Sequence, residues 1–394
     1  MTRSPEESTP GQGAAEDAGQ VVGQDAGQVV GQHAGGGTTY AAAGVDVEAG
    51  DRAVELMKAA VAATHGPNVV GGFGGFVGLF DAAFLKDYRH PQLATSTDGV
   101  GTKVAIAQAL DIHHTIGHDL VGMVVDDIVV SGARPLFMTD YIACGRVVPE
   151  RIADIVRGIA EACAGAGVAL IGGETAEHPG LLGVDEYDVA GAATGVVEAD
   201  QVLGAHRVTT SDVLIGLPSS GLHSNGYSLV RRIIADAGWE LEREVPEFGR
   251  TLGEEILVPT TVYTRALLGL LEQHPEAVHA ISHVTGGGLS ANIARVLPQG
   301  VLATMRRSSW TVPPVFDVLG ELGGVPRADR ERTWNLGVGM VLVVDRSAVD
   351  GVLAAADGAW VLGELSADDR TRASDPDYVQ GAKGVDGGAA LLID

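Results

Sequence analysis

Past residue 45 the chain switches repeatedly between a helical and a strand-like spacing of apolar positions. From Asp46 the stretch "VEAGDRAVELMKAAVAATHG" sets Val54, Met57 and Val61 on one helical face, with Asp46 placed as an N-cap and Gly66 as a stop. Strand and helix then alternate: "PLFMTDYIAC" as strand, residues 149–166 as helix, then "VALIGGE" and "YDVAGAATGVV" as strands. A second series begins near Gly204, with strand "DVLIGLP", helices from Asn225 to about Ala237 and around 260–272, and strand "VHAISHV". It continues with a glycine-led helix from 287 and strand "LGVGMVLVV" at 336–344. The pattern predicts mixed α/β layers in both halves. Because "YDVAG" follows "VALIGGE" with no helix between, the sheet is expected to be partly antiparallel rather than simply doubly wound.

One helical stretch breaks the pattern. "DLVGMVVDDIVVSG", Asp119–Gly132, carries three carboxylates inside a run otherwise fit for a core. Asp119 and Asp126 are seven residues apart and share a face, whereas Asp127 lies about 100° around. A lone buried carboxylate costs several kcal/mol, so each acid needs a lysine, a capping amide or a cation.

Residues 1–37 show no such periodicity. The octapeptide "DAGQVVGQ" at 17–24 is repeated at 25–32 among Gly, Gln, Ala and acids, the composition of a disordered tail. Behind it the length of 394 residues accommodates two α/β-sized units, expected at 38–203 and 204–394. A net charge of −25 disfavours nucleic acid and anionic membrane as partners. No run is long and apolar enough for a membrane span, and the N-terminus lacks a signal-peptide pattern. Cys144 and Cys163 have no metal-ligand spacing, so a reducing, cytoplasmic setting is expected.

Five short motifs bear chemistry. "TDGVGTK" (97–103) joins Asp98, Gly99, Gly101, Thr102 and Lys103, a composition able to cradle phosphate and a bridging cation, or to end a strand. "GGFGG" supplies Gly71, Gly72, Gly74 and Gly75, a loop able to close on a nucleotide or merely to connect. "IGGETAEHPG" places Glu174 and Glu177 beside paired glycines at a strand end, where ligands bind in α/β folds and where acids are also simply solvated. "SSGLHSNGYSLVRR" leads Ser220, Gly221, His223, Ser224, Asn225 and Gly226 into a helix N-terminus, an anion site or an ordinary cap. "SHVTGGGLSANIARVLP" repeats that logic with His283, Thr285 and Gly286. All five favour phosphate and cation binding.

These motifs, together with "HTIGHDLVGMVVDDIVVSGARPLF", "EYDVAGAATGVVE" and "RTWNLGVGM", resemble in order those of the phosphoribosylformylglycinamidine cyclo-ligases, or AIR synthetases. The resemblance implies a two-domain fold whose N-terminal domain pairs with its twin to close a β-barrel across a homodimer, with ATP near that interface. It implies ATP-dependent conversion of formylglycinamidine ribonucleotide to aminoimidazole ribonucleotide, with ADP and phosphate released. By the same resemblance Asp98, Asp127 and Glu174 would hold Mg²⁺, Lys58 would serve ATP, and Lys103 and Thr102 would contact phosphates. His223 would sit beside the ribose phosphate and His283 beside the amidine, with His223 favoured as acid or base. Two departures stand out: Asp126 replaces a usual Asn, and His118 a usual apolar residue, which implies tighter cation binding or a pair between the two. The alternatives are another ATP-using enzyme of the superfamily, such as a thiamine monophosphate kinase, and a silent nucleotide-binding scaffold.

Overall fold

The computed structural model describes residues 44–72, 74–382 and 387–394; the duplicated tail lies outside them. Helix α1 (Val47–Ala63) is capped by Asp46, whose side chain accepts from the Ala49 amide, and buries Ala53, Met57 and Val61. Short strands β1 (Val69–Val70) and β2 (Leu79–Phe80) follow, then β3 (Pro91–Gly99), α2 (Val104–Leu110), α3 (Thr115–Val129) and β4 (Arg134–Cys144). Next come α4 (Pro149–Ala166), β5 (Ala169–Glu177) and β6 (Tyr187–Glu198). Strands β3–β6 form one sheet in the order β3-β6-β4-β5, in which only β4 and β5 run parallel. The mixed sheet follows from connection length. Helix α4 crosses over between β4 and β5, while β5 returns to β6 through a short loop, which restricts that strand to an antiparallel neighbour.

The second sheet is built from β7 (Val213–Pro218) onward. Its surroundings are α5 (Tyr227–Ala237), the short β8 (Glu244–Val245), β9 (Arg250–Thr251) and α6 (Leu252–Ile256), and α7 (Thr264–Gln273). After β10 (Val278–His283) come α8 (Gly288–Val296), β11 (Val301–Arg306), α9 (Pro314–Leu322), α10 (Arg327–Thr333) and β12 (Val338–Val344). Helix α11 (Val349–Ala355), β13 (Trp360–Ala367), β14 (Tyr378–Gln380) and β15 (Ala389–Ile393) complete the chain. The order is β10-β12-β7-β13-β11-β15-β14, with β11 and β15 the parallel pair. Every residue of β12 is buried, as a central strand covered on both faces requires.

The described residues form one compact unit, and the break near Gly204 is not a gap in packing. One apolar core takes in Leu120, Val124 and Ile128 of α3 together with Tyr227 and Val230 of α5, and Phe316 and Trp334 beyond. Helix α3 is therefore buried on nearly all sides, between the first sheet and the segments that follow β7. The other face of the first sheet differs: Leu93 is 66% exposed and Tyr141 41%, and Thr95, Thr97 and Glu174 are exposed too.

Candidate active site

Burial of α3 forces its acids to find partners, and two find them within the fold. Asp119 is fully buried against Lys103, also fully buried, at 2.8 Å. The same Oδ1 accepts from the amide and hydroxyl of Thr260, at 2.9 and 2.6 Å. Lys103 gives its remaining donors to the carbonyls of His223 (2.9 Å) and Val258 (2.7 Å). Asp126, equally buried, accepts from the amides of Tyr263 and Thr264 and from the Thr264 hydroxyl, at 2.7 to 3.1 Å. It thus caps α7, whose first free amides it satisfies from another helix. Burial pushes the Asp126 carboxyl up to about 6, against the nearby His283 charge and these donors, which favour ionisation.

Asp127 faces the other way. Its side chain is 41% exposed and its Oδ1 meets Nδ1 of the buried His283 at 2.9 Å. Burial raises the pKa of Asp98, at the end of β3; the hydrogen bond its Oδ1 accepts from Gly99 opposes this, and the nearby charge of Asp127 adds to it. For His283, burial is the largest influence and disfavours charge; the hydrogen bond it donates to Asp127 and the charges of Asp126, Asp127 and Asp98 outweigh it, and the net shift is upward. That bond leaves Nδ1 as the protonated nitrogen, and Nε2 is buried without a partner in the chain. Two mutually repelling carboxylates with oxygens to spare suit a hard cation such as Mg²⁺, so Asp98 and Asp127 fit that role chemically.

The glycine and serine loops close on this centre. Ser224 donates to the Val100 carbonyl at 2.7 Å, and the Thr102 and Ser228 hydroxyls meet at 3.2 Å, joining "TDGVGTK" to the start of α5. Asn225 accepts from the Gly286 amide at 3.1 Å, so the loop before α5 is tied to the one before α8. Gly226 sits at φ +78°, where a Cβ would stand 2.6 Å from the Trp334 ring, so both conformation and space demand glycine. Asn292, absent from the sequence reading, is buried and donates to carbonyls of the glycine turn, most closely Gly288 at 2.8 Å. Its i+4 position after Gly288, on the inward face of α8, was the available signal.

Several expectations need restating. Lys103 contacts no open site: all three of its N–H groups are engaged inside the protein. His118 and Asp126 form no pair, since Asp126 is engaged by α7 and His118 Nδ1 is buried without a partner. Glu174 lies on β5, the edge strand opposite β3. Three strand spacings, about 14 Å, separate it from Asp98, and the register puts it on the other face, beside Tyr141. His223 has φ +60°, and its Nε2 accepts from the Ser220 amide at 3.1 Å. Burial, then the charges of His283 and Lys103, hold that imidazole well below its ordinary pKa, hence neutral. Ser220 donates to the Pro259 carbonyl, at 2.7 Å. Lys58 is exposed on α1, 3.8 Å from Glu55, and Gly71, Gly72, Gly74 and Gly75 form an exposed loop. Gly99 ends β3 beside Asp98, and Gly101, Gly221 and Thr285 lie in the segments around Asp98, His223 and His283.

A second cluster, Asp212, His279 and Asp345, is accounted for within the fold. Asp212 accepts from Thr209 and His279, and Asp345 from Ser347, at the opposite end of the strands from His283.

Family models described as "AIR synthase related protein" match twice, the N-terminal domain over residues 80–197 and the C-terminal domain over 210–375. A phosphoribosylformylglycinamidine cyclo-ligase of Desulfitobacterium hafniense is 50% identical over 334 residues, 84% of this chain and 97% of that one. Another, from Acetivibrio thermocellus, is 48% identical over 84% of this chain and 98% of its own. Solved structures share the fold at lower identity. Thiamine-monophosphate kinase from Stenotrophomonas maltophilia gives a TM-score of 0.59 at 18% identity, covering 85% of this chain and 95% of that one. A hydrogenase maturation protein HypE in complex with ATP gives 0.58 at 17%, covering 87% and 93%. At half the residues identical across nearly the full length of those relatives, with both domain models matched, the chain belongs to the phosphoribosylformylglycinamidine cyclo-ligase family, the AIR synthetases.

Proposed function

We propose that this protein closes the imidazole ring of purine synthesis, converting formylglycinamidine ribonucleotide and ATP to aminoimidazole ribonucleotide, ADP and phosphate. The observation that carries this is the roughly 50% identity, over 84% of the chain, to relatives bearing the cyclo-ligase name. An amide oxygen is a poor leaving group. The γ-phosphoryl of ATP is therefore transferred to the formyl oxygen, the amidine nitrogen attacks the activated carbon, and phosphate departs with that oxygen. Most of the catalysis is positioning and charge neutralisation.

Asp98 and Asp127 would hold Mg²⁺, which when bound offsets phosphate charge. His283, aligned by Asp127 through Nδ1, keeps Nε2 for a proton and is the better proton-transfer group. His223, whose Nε2 is occupied by the Ser220 amide, instead shapes the loop ahead of α5. The amides of Gly221 and Gly226, with Thr102, Ser224, Thr285 and the Asn225–Gly286 pair, form the substrate end. Lys58, the 71–75 loop and Glu174 serve the nucleotide. The open face of the first sheet, with its exposed Leu93 and Tyr141, supports a homodimer in which two such faces meet. No helix among the described residues is long and apolar enough to cross a membrane, and the enzyme is assigned to the cytoplasm.

The test is stoichiometric. Purified protein releases ADP only when formylglycinamidine ribonucleotide is present, with aminoimidazole ribonucleotide formed in equal amount. ATP turnover independent of that substrate sinks the reading. Sedimentation tests the pairing: Leu93→Arg converts a dimer to monomer, and a wild-type monomer removes the dimer.

A further inference from the structure

Off the Asp127–His283 pair runs a cavity of about 180 Å³ that the chemistry above leaves unused. Asp127, His283 and Thr285 line it on the side of the reacting groups, and Val130, Arg295 and Val296 line it elsewhere. Val130 and Val296 are half-buried and Arg295 is exposed, so that end reaches solvent without passing the loop ahead of α5.

The floor of the cavity is the open edge of a sheet. β10 is the outermost strand of the second sheet and pairs only with β12. Val284 donates to the Gly339 carbonyl of β12 at 3.0 Å, so alternation along the chain turns the amides of Ile281 and His283 the other way, toward the unpaired side. Helix α3 packs on one face of β10, Val129 against Ile281, and α8 on the other, Ile293 with Ala280. The cavity is the gap left between them.

Its walls combine donors with acceptors. Asp127, the one carboxylate on the wall, pairs with His283 and not with Arg295. The His283 side chain is 3% exposed, and its Nε2 has no partner among the described residues. A guanidinium and two edge amides suit the oxygens of an anion. An unfilled imidazole nitrogen and a spare carboxylate oxygen are acceptors, and they call for an anion that still carries a proton.

We propose that this cavity binds hydrogen phosphate and that the inorganic phosphate released by the reaction leaves through it, past Arg295. The inference rests on the ATP-dependent reading above. Phosphate is formed between the nucleotide and the ribonucleotide, which block the front of the site while both are bound. A side passage lets the smallest product go first. The volume lies below the roughly 300–1,000 Å³ of sites that enclose a drug-sized ligand, so it is too small for a nucleotide and admits one tetrahedral anion. Arg295 and the amides of Ile281 and His283 take its charged oxygens, and its P–OH donates to His283 Nε2 or to Asp127. Sulfate has the same shape but no proton at neutral pH, so those acceptors reject it.

Calorimetry of the full chain in metal-free buffer, with inorganic phosphate and sulfate as probes, tests the site. Wild-type protein binds phosphate at least ten-fold more tightly than sulfate. Arg295→Ala, at an exposed position of α8 where alanine suits a helix, weakens phosphate at least ten-fold, and Arg295→Lys, which keeps the charge without the fork, loses less. In turnover, phosphate inhibits noncompetitively against both ATP and the ribonucleotide, and Arg295→Ala raises that inhibition constant at least ten-fold with both KM values within three-fold. Inhibition competitive with the ribonucleotide, together with a raised KM for it in Arg295→Ala, would make Arg295 an anchor of the ribose phosphate and overturn the inference. Competition with ATP alone overturns it as well. So does an adventitious ion only, seen as equal phosphate and sulfate binding that Arg295→Ala leaves unaltered, or the absence of phosphate binding to wild-type protein. Wild-type protein that binds phosphate as stated but makes no aminoimidazole ribonucleotide removes the proposed function and the exit role, and leaves the hydrogen phosphate site standing.

Discussion

Asp119 and Asp127 stand eight residues apart on one helix and end in opposite situations. The first is sealed with a lysine, a hydroxyl and an amide around a single oxygen. The second is 41% exposed, paired only with His283, and close to another carboxylate. What separates them is pairing. Where a buried carboxylate is held by donors of the chain, as Asp119 is through Oδ1 while its Oδ2 has no partner, the charge holds segments together. Where like charges are crowded and a nitrogen is left over, the arrangement awaits a ligand.

The sealed region gives the largest predicted effect. Asp119→Ala strands the Lys103 ammonium in the core and should cost about 3–5 kcal/mol, read from urea unfolding. The double variant Lys103→Met, Asp119→Leu should recover most of that loss, because two apolar groups need no partners. If Asp119→Ala unfolds at the wild-type urea midpoint, the sealed pair is not a staple and the contrast with Asp127 collapses.

The open region responds in turnover instead. Asp127→Asn should lower kcat by at least about 100-fold, as removal of a residue acting on transferred charge or protons does, with an unmoved unfolding midpoint. His283→Asn should behave likewise. His223→Asn, which tolerates φ +60° but gives up the hydrogen bond from Ser220, should cost about ten-fold or less and leave the pH profile in place. Equal losses at His223 and His283 would return His223 to the role expected from the sequence.

This contrast also marks how far the sequence could be read. The strands and helices on both sides of α3 follow from apolar spacing, and the separate faces of Asp119 with Asp126 and of Asp127 follow from 100° per residue. Which face meets which partner does not. Lys103 is 16 residues from Asp119, in a motif rich in phosphate-binding residue types, and nothing local says that its side chain turns inward to carbonyls of residues 223 and 258. Glu174 shares the acidic character of Asp98 and Asp127, but strand order, set by long-range pairing, puts it at the far edge of the sheet.

Asp126 sharpens the comparison with the smallest effect, because it belongs to the sealed side although Asp127 is its neighbour. Asp126→Asn keeps the Oδ1 that accepts from the Thr264 amide and hydroxyl and replaces the Oδ2 that meets Tyr263 at 3.0 Å. The variant should therefore fold, and its Mg²⁺ titration should match the wild type, since the carboxyl points to α7 and not to Asp98. What it should lose is a pH slope. The folded carboxyl titrates near 6 against an ordinary 3.8, so the native state binds the proton more tightly than the unfolded chain between those values. In metal-free buffer, wild-type stability should then fall relative to the Asn variant as pH rises from about 4 to 6, by on the order of 1 kcal/mol per unit at most, and level off above. Parallel stability curves across that window, together with a shifted Mg²⁺ titration, would move Asp126 from the cap of α7 to the cation site.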